Sequence, residues 1–310
     1  MKTKRYLYNL LGLAVVVQLT SCSKEDKLTP TADVGVMELF QPAPDANPLE
    51  KSMYQEYGVW ARLDYKDSRE VYNSYLGQDA TSARFPAEKV DDDLRESTYV
   101  FLNTLLSNVN KEFSKKLMPN EVFFVKTYGH PYFIQKFTTI GRNRLVVTWP
   151  NAISKMPIEN PETLYYTDEA LAKGMWDKLS ELVSARLTEE IEGFEELGKP
   201  YDGGTAFGKI RDQYFVDRDL QKRNRDWKAL ADEGGFLDQY STFSFRAEYK
   251  AWLKLILTES FENIDSMYLE SNSMRKAKYE LFVDHFKKEY NWDIQAVGDK
   301  YREKSDSFKD

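Results

Sequence analysis

The stretch from Thr167 to Thr188, TDEALAKGMWDKLSELVSARLT, constrains the fold more than any other part of the chain. Leu171, Met175, Leu179 and Leu182 recur at the spacing of one helix face. Ala172, Trp176, Val183 and Leu187 widen that face into a broad apolar stripe. A helix with so wide a stripe must be covered on most of its circumference, so other elements have to build around it. Thr167 reads as its N-cap, and Asp168 and Glu169 suit the positive end of the helix dipole. Asp177, Lys178 and Glu181 mark its polar side.

The N-terminus reads as an address. Lys2, Lys4 and Arg5 precede an apolar run from Leu10 to Leu19, which is too short to span a bilayer. Leu19-Thr20-Ser21-Cys22 follows, and these residues resemble the lipobox of bacterial lipoproteins. The resemblance implies cleavage after residue 21 and acylation of Cys22, with several acyl chains giving stable anchoring. Cys22 is the single cysteine of the chain, so no internal disulfide and no cysteine-based zinc site can form. Ser23-Lys24-Glu25-Asp26 resembles the short export signal that sends some lipoproteins to the outer face of the outer membrane. The expected organisation is a signal peptide over 1–21, a lipidated N-terminus and tether over 22–50, and a globular domain over 51–310. The tether holds four prolines and one candidate docking strand, Val34–Phe40.

Within the globular part, Gly58–Tyr65 alternates as a strand and Asp91–Leu117 reads as one long amphipathic helix stopped by Pro119. Short β runs follow at Glu121–Lys126, Tyr132–Phe137 and Arg144–Trp149, with Gly141-Arg142-Asn143 as a turn. After the central helix, Gly193–Gly204 reads as loop and residues 205–232 as helical pieces. Further helices are expected at Phe245–Thr258, Asn272–Tyr290 and Asp293–Glu303, the last capped by Asp293. In Phe245–Thr258 the inward residues are read as Ala247, Trp252, Leu255 and Ile256. The expected class is therefore α+β, a small mixed sheet packed by helices with a helical C-terminal half. A net charge of −7 with both signs interleaved argues against a general nucleic-acid binder.

The order of parts is informative. A lipobox precedes Tyr57-Gly58-Val59-x-Ala61-Arg62-Leu63-Asp64-Tyr65, and a lysine-ended helix leads into Pro119-Asn120-Glu121-Val122-Phe123-Phe124-Val125. Gly235-Phe236-Leu237-Asp238-Gln239-Tyr240 then precedes Phe245-Arg246-Ala247-Glu248, and Lys278–Tyr290 leads into Trp292-Asp293-Ile294. This order resembles the zincin-like metallohydrolase lipoproteins found beside SusC/SusD-type, TonB-dependent nutrient transporters, over about residues 50–303. The resemblance implies a zincin-like fold whose central helix would carry His-Glu-x-x-His, two histidines for zinc and a glutamate to activate water. Here Asp177 and Glu181 stand at the histidine positions and Lys178 at the glutamate. Glu248 stands where that family offers an acidic ligand.

A protonated lysine cannot act as that base, and it adds positive charge beside a cation. Both histidines of the chain, His130 and His285, lie far from this helix in sequence. The expectation is a degenerate site without zinc or other cofactor. Calcium held by Asp177, Glu181 and Glu248 is an alternative that suits oxygen ligands, and a solvated helix face of i,i+4 charge neighbours is the reading preferred. Trp176, beside Asp177, is a candidate ligand contact, with Tyr201 and Tyr240 as weaker ones. Gly203–Lys209 has phosphate-loop spacing, but Ile210 replaces the Ser or Thr that would hold magnesium, so it reads as flexible loop.

The resulting expectation is a non-catalytic outer-membrane lipoprotein facing the cell exterior. It would be an accessory subunit of a SusCD-type import complex that binds a glycan, a peptide or the transporter itself. The alternative is a metallopeptidase-like hydrolase with atypical ligands, and a third reading is a structural partner whose cleft is packed shut.

Overall fold

A computed structural model describes residues 40–66, 68–72, 87–128, 136–150, 160–202 and 206–309. Contacts divide the chain into Met1–Gln41 and Pro42–Asp310. The signal peptide, Cys22, His130 and Gly203–Thr205 lie outside the described residues. The second unit starts ahead of the expected boundary at residue 50, because its first helix, α1 (Pro48–Tyr57), is already built into the body. Asn47 caps it by accepting from the Leu49 N–H, and Gly58 closes it at a positive φ of 71°. Glu50 on α1 accepts from Trp60 Nε1 at 2.7 Å and from the Tyr99 hydroxyl at 2.9 Å. That carboxylate ties the helix to the sheet behind it.

Five strands form one mixed sheet: β1 (Trp60–Arg62), β2 (Glu88–Lys89), β3 (Glu121–Thr127), β4 (Phe137–Ile140) and β5 (Arg144–Thr148). Their order is β1-β3-β5-β4, with β2 also pairing β3. β1 and β5 flank β3 in parallel, with Trp60 opposite Glu121 and Glu121 opposite Arg144. β4 runs antiparallel to β5 through a turn at Gly141, whose φ is 60°. β3 is an almost continuous apolar run because both of its faces are covered. Val122 and Phe124 enter the main core, and Phe123 and Val125 enter a smaller cluster with Tyr65, Val71, Ala87 and Val146.

Helices build the main core. They are α2 (Arg95–Leu106), α3 (Lys111–Leu117), α4 (Glu169–Arg186), α5 (Ala206–Asp217), α6 (Leu220–Glu233), α7 (Phe245–Thr258), α8 (Ser273–Tyr290) and α9 (Gln295–Ser307). The apolar stripe of α4 is buried as its spacing predicts: Leu171, Met175, Leu179 and Val183 have no exposed surface. Helix α7 packs along α4 and α9. The class is α+β, with a small mixed sheet and a helical C-terminal half.

Several boundaries differ from expectation. The long helix over Asp91–Leu117 is two helices, because polar side chains compete with the backbone at the break. Asn108 donates to Thr104 O at 2.8 Å, and Asn110 accepts from the N–H groups of Glu112 and Phe113 to start α3. The strand expected over Gly58–Tyr65 is only Trp60–Arg62, since Gly58 closes α1. Asp168 caps α4, accepting from Leu171 N–H at 2.9 Å, while Thr167 ends a short helix Leu164–Thr167. The expected loop Gly193–Gly204 contains a helical turn, Phe194–Gly198, and a 3-10 turn, Lys199–Tyr201. Gly208 and Lys209 lie inside α5, so this half of the phosphate-loop-like stretch is helix rather than loop.

The C-terminal helix is pressed hard against the core. A Cβ at Gly298 would lie 2.1 Å from the Ile256 carbonyl oxygen and 2.3 Å from that of Glu259, so only glycine fits this approach. Beside it, Arg302 Nη2 meets Glu259 at 2.5 Å and Glu169 at 2.8 Å, and its Nε donates to Thr258 O at 3.0 Å. Arg302 and Lys173 hold the Glu169 carboxyl down at about 2, against its partial burial.

Candidate functional site

Asp177, Lys178 and Glu181 project from the polar side of α4 toward α7 and β4. Lys254 on α7 donates to Asp177 Oδ1 at 3.0 Å, and Lys250 reaches the same oxygen at 3.5 Å. Lys250 also lies 3.6 Å from Glu181 Oε2. Lys178 meets Glu181 at 3.0 Å and Asp177 at 3.7 Å. Thr139 of β4 donates to the other oxygen of Glu181 at 3.0 Å. Two carboxylates thus face three ammonium groups. Partial burial raises both carboxyls, and the lysines overcome it, so both lie below the ordinary carboxylate range.

Glu248 does not join this cluster. Successive helix residues turn by about 100°, so Glu248 and Lys250 point to nearly opposite sides of α7. Glu248 is 2% exposed and meets Lys278 of α8, itself fully buried, at 2.5 Å. The Lys278 ammonium lies 3.8 Å from the Phe236 ring centre and 5.6 Å from that of Phe194. Burial pushes the Glu248 carboxyl up to about 7 against the pull of Lys278, and burial pushes the Lys278 amine down. Gly198 makes room for this arrangement, since a Cβ there would lie 2.5 Å from Lys278 Nζ.

The residues offered as metal ligands therefore do not fit a zinc or calcium ion. Both cations need neutral or anionic donors converging on one point. Here the carboxylates of α4 converge on lysines, and the third carboxylate sits on another face with a lysine of its own. Among the described residues, no group of three or more His, Cys, Asp or Glu side chains is placed to hold a metal.

Trp176 is in the core rather than at a cleft. It has no exposed surface, and its indole N–H donates to the Tyr165 hydroxyl at 2.8 Å. Tyr201 is half-buried at the end of its 3-10 turn. Tyr240 is 63% exposed and packs edge-on against Trp227. His285 stands edge-on to Phe286 at 5.5 Å, and burial lowers its pKa, as befits a packing residue.

A groove of about 520 Å³ opens where α4 ends and α7 begins. Its lining includes Glu189, Glu190, Glu195 and Glu248 together with Phe236, Phe243 and Phe245. Glu195 hydrogen-bonds Glu190, and this contact, with burial, raises its carboxyl above the ordinary range. Arg246 at the rim donates to the Leu187 carbonyl at 3.3 Å. Apart from Glu248, the groove residues escaped the sequence reading. They come from two segments more than thirty residues apart, and no local spacing joins them.

No family model matches the chain, and no curated protein matches it. A crystal structure of a candidate zinc-binding metallo-peptidase from Bacteroides caccae is similar at 13% identity, covering 86% of this chain and 96% of that one, with a TM-score of 0.45.

Proposed function

We propose that the protein is a non-catalytic lipoprotein of the outer-membrane surface. Its body serves as an accessory subunit of a SusCD-type, TonB-dependent nutrient import complex and binds substrate or transporter. The lipobox-like Leu19–Cys22 segment supports the location, and the order of sequence motifs supports the association and the zincin-like ancestry. One observation supports the loss of catalysis above others. Asp177 and Glu181, at the positions that would hold a metal, are neutralised by Lys178, Lys250 and Lys254. Three ammonium groups beside two carboxylates leave a local positive charge, which repels a dication.

Two measurements test this reading. Metal analysis of the purified full-length chain is expected to find no stoichiometric zinc, and one equivalent would overturn the non-catalytic assignment. A mild-detergent pull-down of the tagged lipoprotein from its native membrane is expected to recover a transporter and its lid lipoprotein. Recovery of the chain alone would overturn the accessory role.

A further inference from the structure

The groove at the junction of α4 and α7 is lined by two unlike kinds of side chain. Phe243 is 54% exposed, and with Phe236 and Phe245 it forms the apolar part. Glu190 and Glu195 line the same groove, and the hydrogen bond between them, with burial, raises the Glu195 carboxyl above its ordinary range. Like charges this close repel, and Lys199, in the same lining, offsets only part of that. A cation between the two carboxyls would relieve the repulsion. With Glu248 set aside because Lys278 pairs with it, acidic side chains in the lining outnumber basic ones four to two, and the Arg246 guanidinium is turned to a backbone carbonyl.

The chain already holds one cation by this chemistry. Directly behind the groove wall, the Lys278 ammonium rests on Phe236, near Phe194, and pairs with Glu248. Aromatic faces attract an ammonium or guanidinium, and a carboxylate fixes its position. The groove lining holds the same kinds of group, the carboxyls of Glu190 and Glu195 and the exposed ring of Phe243.

We propose that this groove holds a basic peptide segment, a lysine or arginine stem lying along Phe243 and Phe245 and its cation between Glu190 and Glu195. The proposal rests on the binding role inferred above and names its ligand class. The charge balance favours a basic peptide over an acidic one. The apolar part favours a cation carried on a hydrocarbon stem over a bare metal ion.

The test titrates the full-length chain in mild detergent, near neutral pH, by calorimetry. The probes are acetyl-Lys-Phe-Lys-Phe-Lys amide, the same peptide with Glu in place of Lys, and maltoheptaose. The basic peptide is expected to bind at least about tenfold more tightly than either alternative. Glu190→Gln with Glu195→Gln should weaken it about tenfold or more with an unchanged melting temperature, and Phe243→Ala should weaken it independently. Glu112→Gln, on α3, should leave the affinity at the wild-type value. Equal binding of the acidic peptide or the sugar, or unchanged affinity in the double glutamine variant, would overturn the proposal. Recovering the peptide by mass spectrometry separates the two ideas. Cleaved peptide would sink the non-catalytic reading and leave the groove standing, whereas intact peptide with no binding would sink the groove alone.

Discussion

Helix α7 carries two carboxylate–lysine arrangements on nearly opposite sides, and they differ in almost every physical respect. Toward α8, one glutamate meets one lysine with almost no solvent: Glu248 is 2% exposed and Lys278 fully buried. Toward α4, Lys250 and Lys254 share Asp177 and Glu181 with Lys178, and these side chains are 29% to 39% exposed. In the first, burial pushes both partners toward their neutral forms, and each restrains the other. In the second, the lysines overcome burial and hold the carboxylates ionised. Chemically similar pairs therefore do different jobs. The buried pair fixes which way α7 and α8 face each other. The exposed cluster fixes little, but it puts positive charge where the sequence resemblance would put a metal.

The largest expected effect comes from breaking the buried pair. Lys278→Met strands Glu248 in the core and should cost about 3–5 kcal/mol by urea unfolding. Combining it with Glu248→Leu should recover most of that loss, because an apolar pair needs no desolvation. A loss below about 1 kcal/mol for Lys278→Met would mean that water reaches the pair, and the contrast between the two sides would collapse.

Gly198→Ala attacks the same pair by crowding. The new methyl would meet Lys278 Nζ and Phe236 Cζ, the latter at 2.8 Å. A cost of about 1–3 kcal/mol is expected, with the ammonium displaced from its ring. A neutral outcome in urea unfolding would show that Lys278 is not held where the structure puts it.

The pH dependence should differ in sign between the two sides. Glu248 rises from an ordinary 4.5 to about 7 in the folded chain. Its contribution is fully present below about 4.5 and is lost as pH rises toward 7, on the order of 1 kcal/mol or more. Asp177 and Glu181 are lowered, so their contribution is present above the unfolded values and is lost as pH falls. Unfolding free energies measured from pH 4 to pH 8 should fall across that upper window in the wild type, and Glu248→Gln should flatten the fall. An unchanged slope in Glu248→Gln would remove Glu248 as its source.

The smallest effect is expected at the exposed cluster. Asp177→Asn should cost less than about 1 kcal/mol, and molar salt should erase most of it. A cost of several kcal/mol, insensitive to salt, would show that this cluster is as structural as the buried pair.

The sequence was most readable where neighbours in the chain decide the outcome. Leu171, Met175, Leu179 and Val183 declare their helix face because each is apolar and each is spaced by local geometry. The starts of α7 and α8 are legible to within a residue, where the Ser244 and Asn272 side chains each accept from an N–H three residues on. The inward face of α7 was read only in part, with Trp252 and Ile256 buried as expected. Its buried residues are Glu248, Tyr249, Trp252, Leu253, Ile256 and Leu257, whereas Ala247 and Leu255 are only half-buried. A rule that places charge outside misassigns Glu248, because its partner is thirty residues away. The break before α3 was missed because Asn108 and Asn110 compete with the helix through side-chain hydrogen bonds that an apolar count ignores. The groove lay beyond local reading altogether, since its two segments meet only after α4 and α7 have packed.

Arg302 has a consequence for how the chain comes to completion. Its contact with Glu169 spans 133 positions, and it also closes Glu259 and the end of α7. A chain emerging N-terminus first reaches Arg302 only after α4 and α7 have been made. Until then, Glu169 and Glu259 lack their shared guanidinium, and the surface of α7 that receives Gly298 stays open. Chains interrupted before α9 would leave Glu169 and Glu259 to Lys173 alone beside a bare helix face, the kind of exposed surface on which proteases and chaperones act. Helix α9 works as a check on assembly, because the ends of α4 and α7 are sealed only once it has docked.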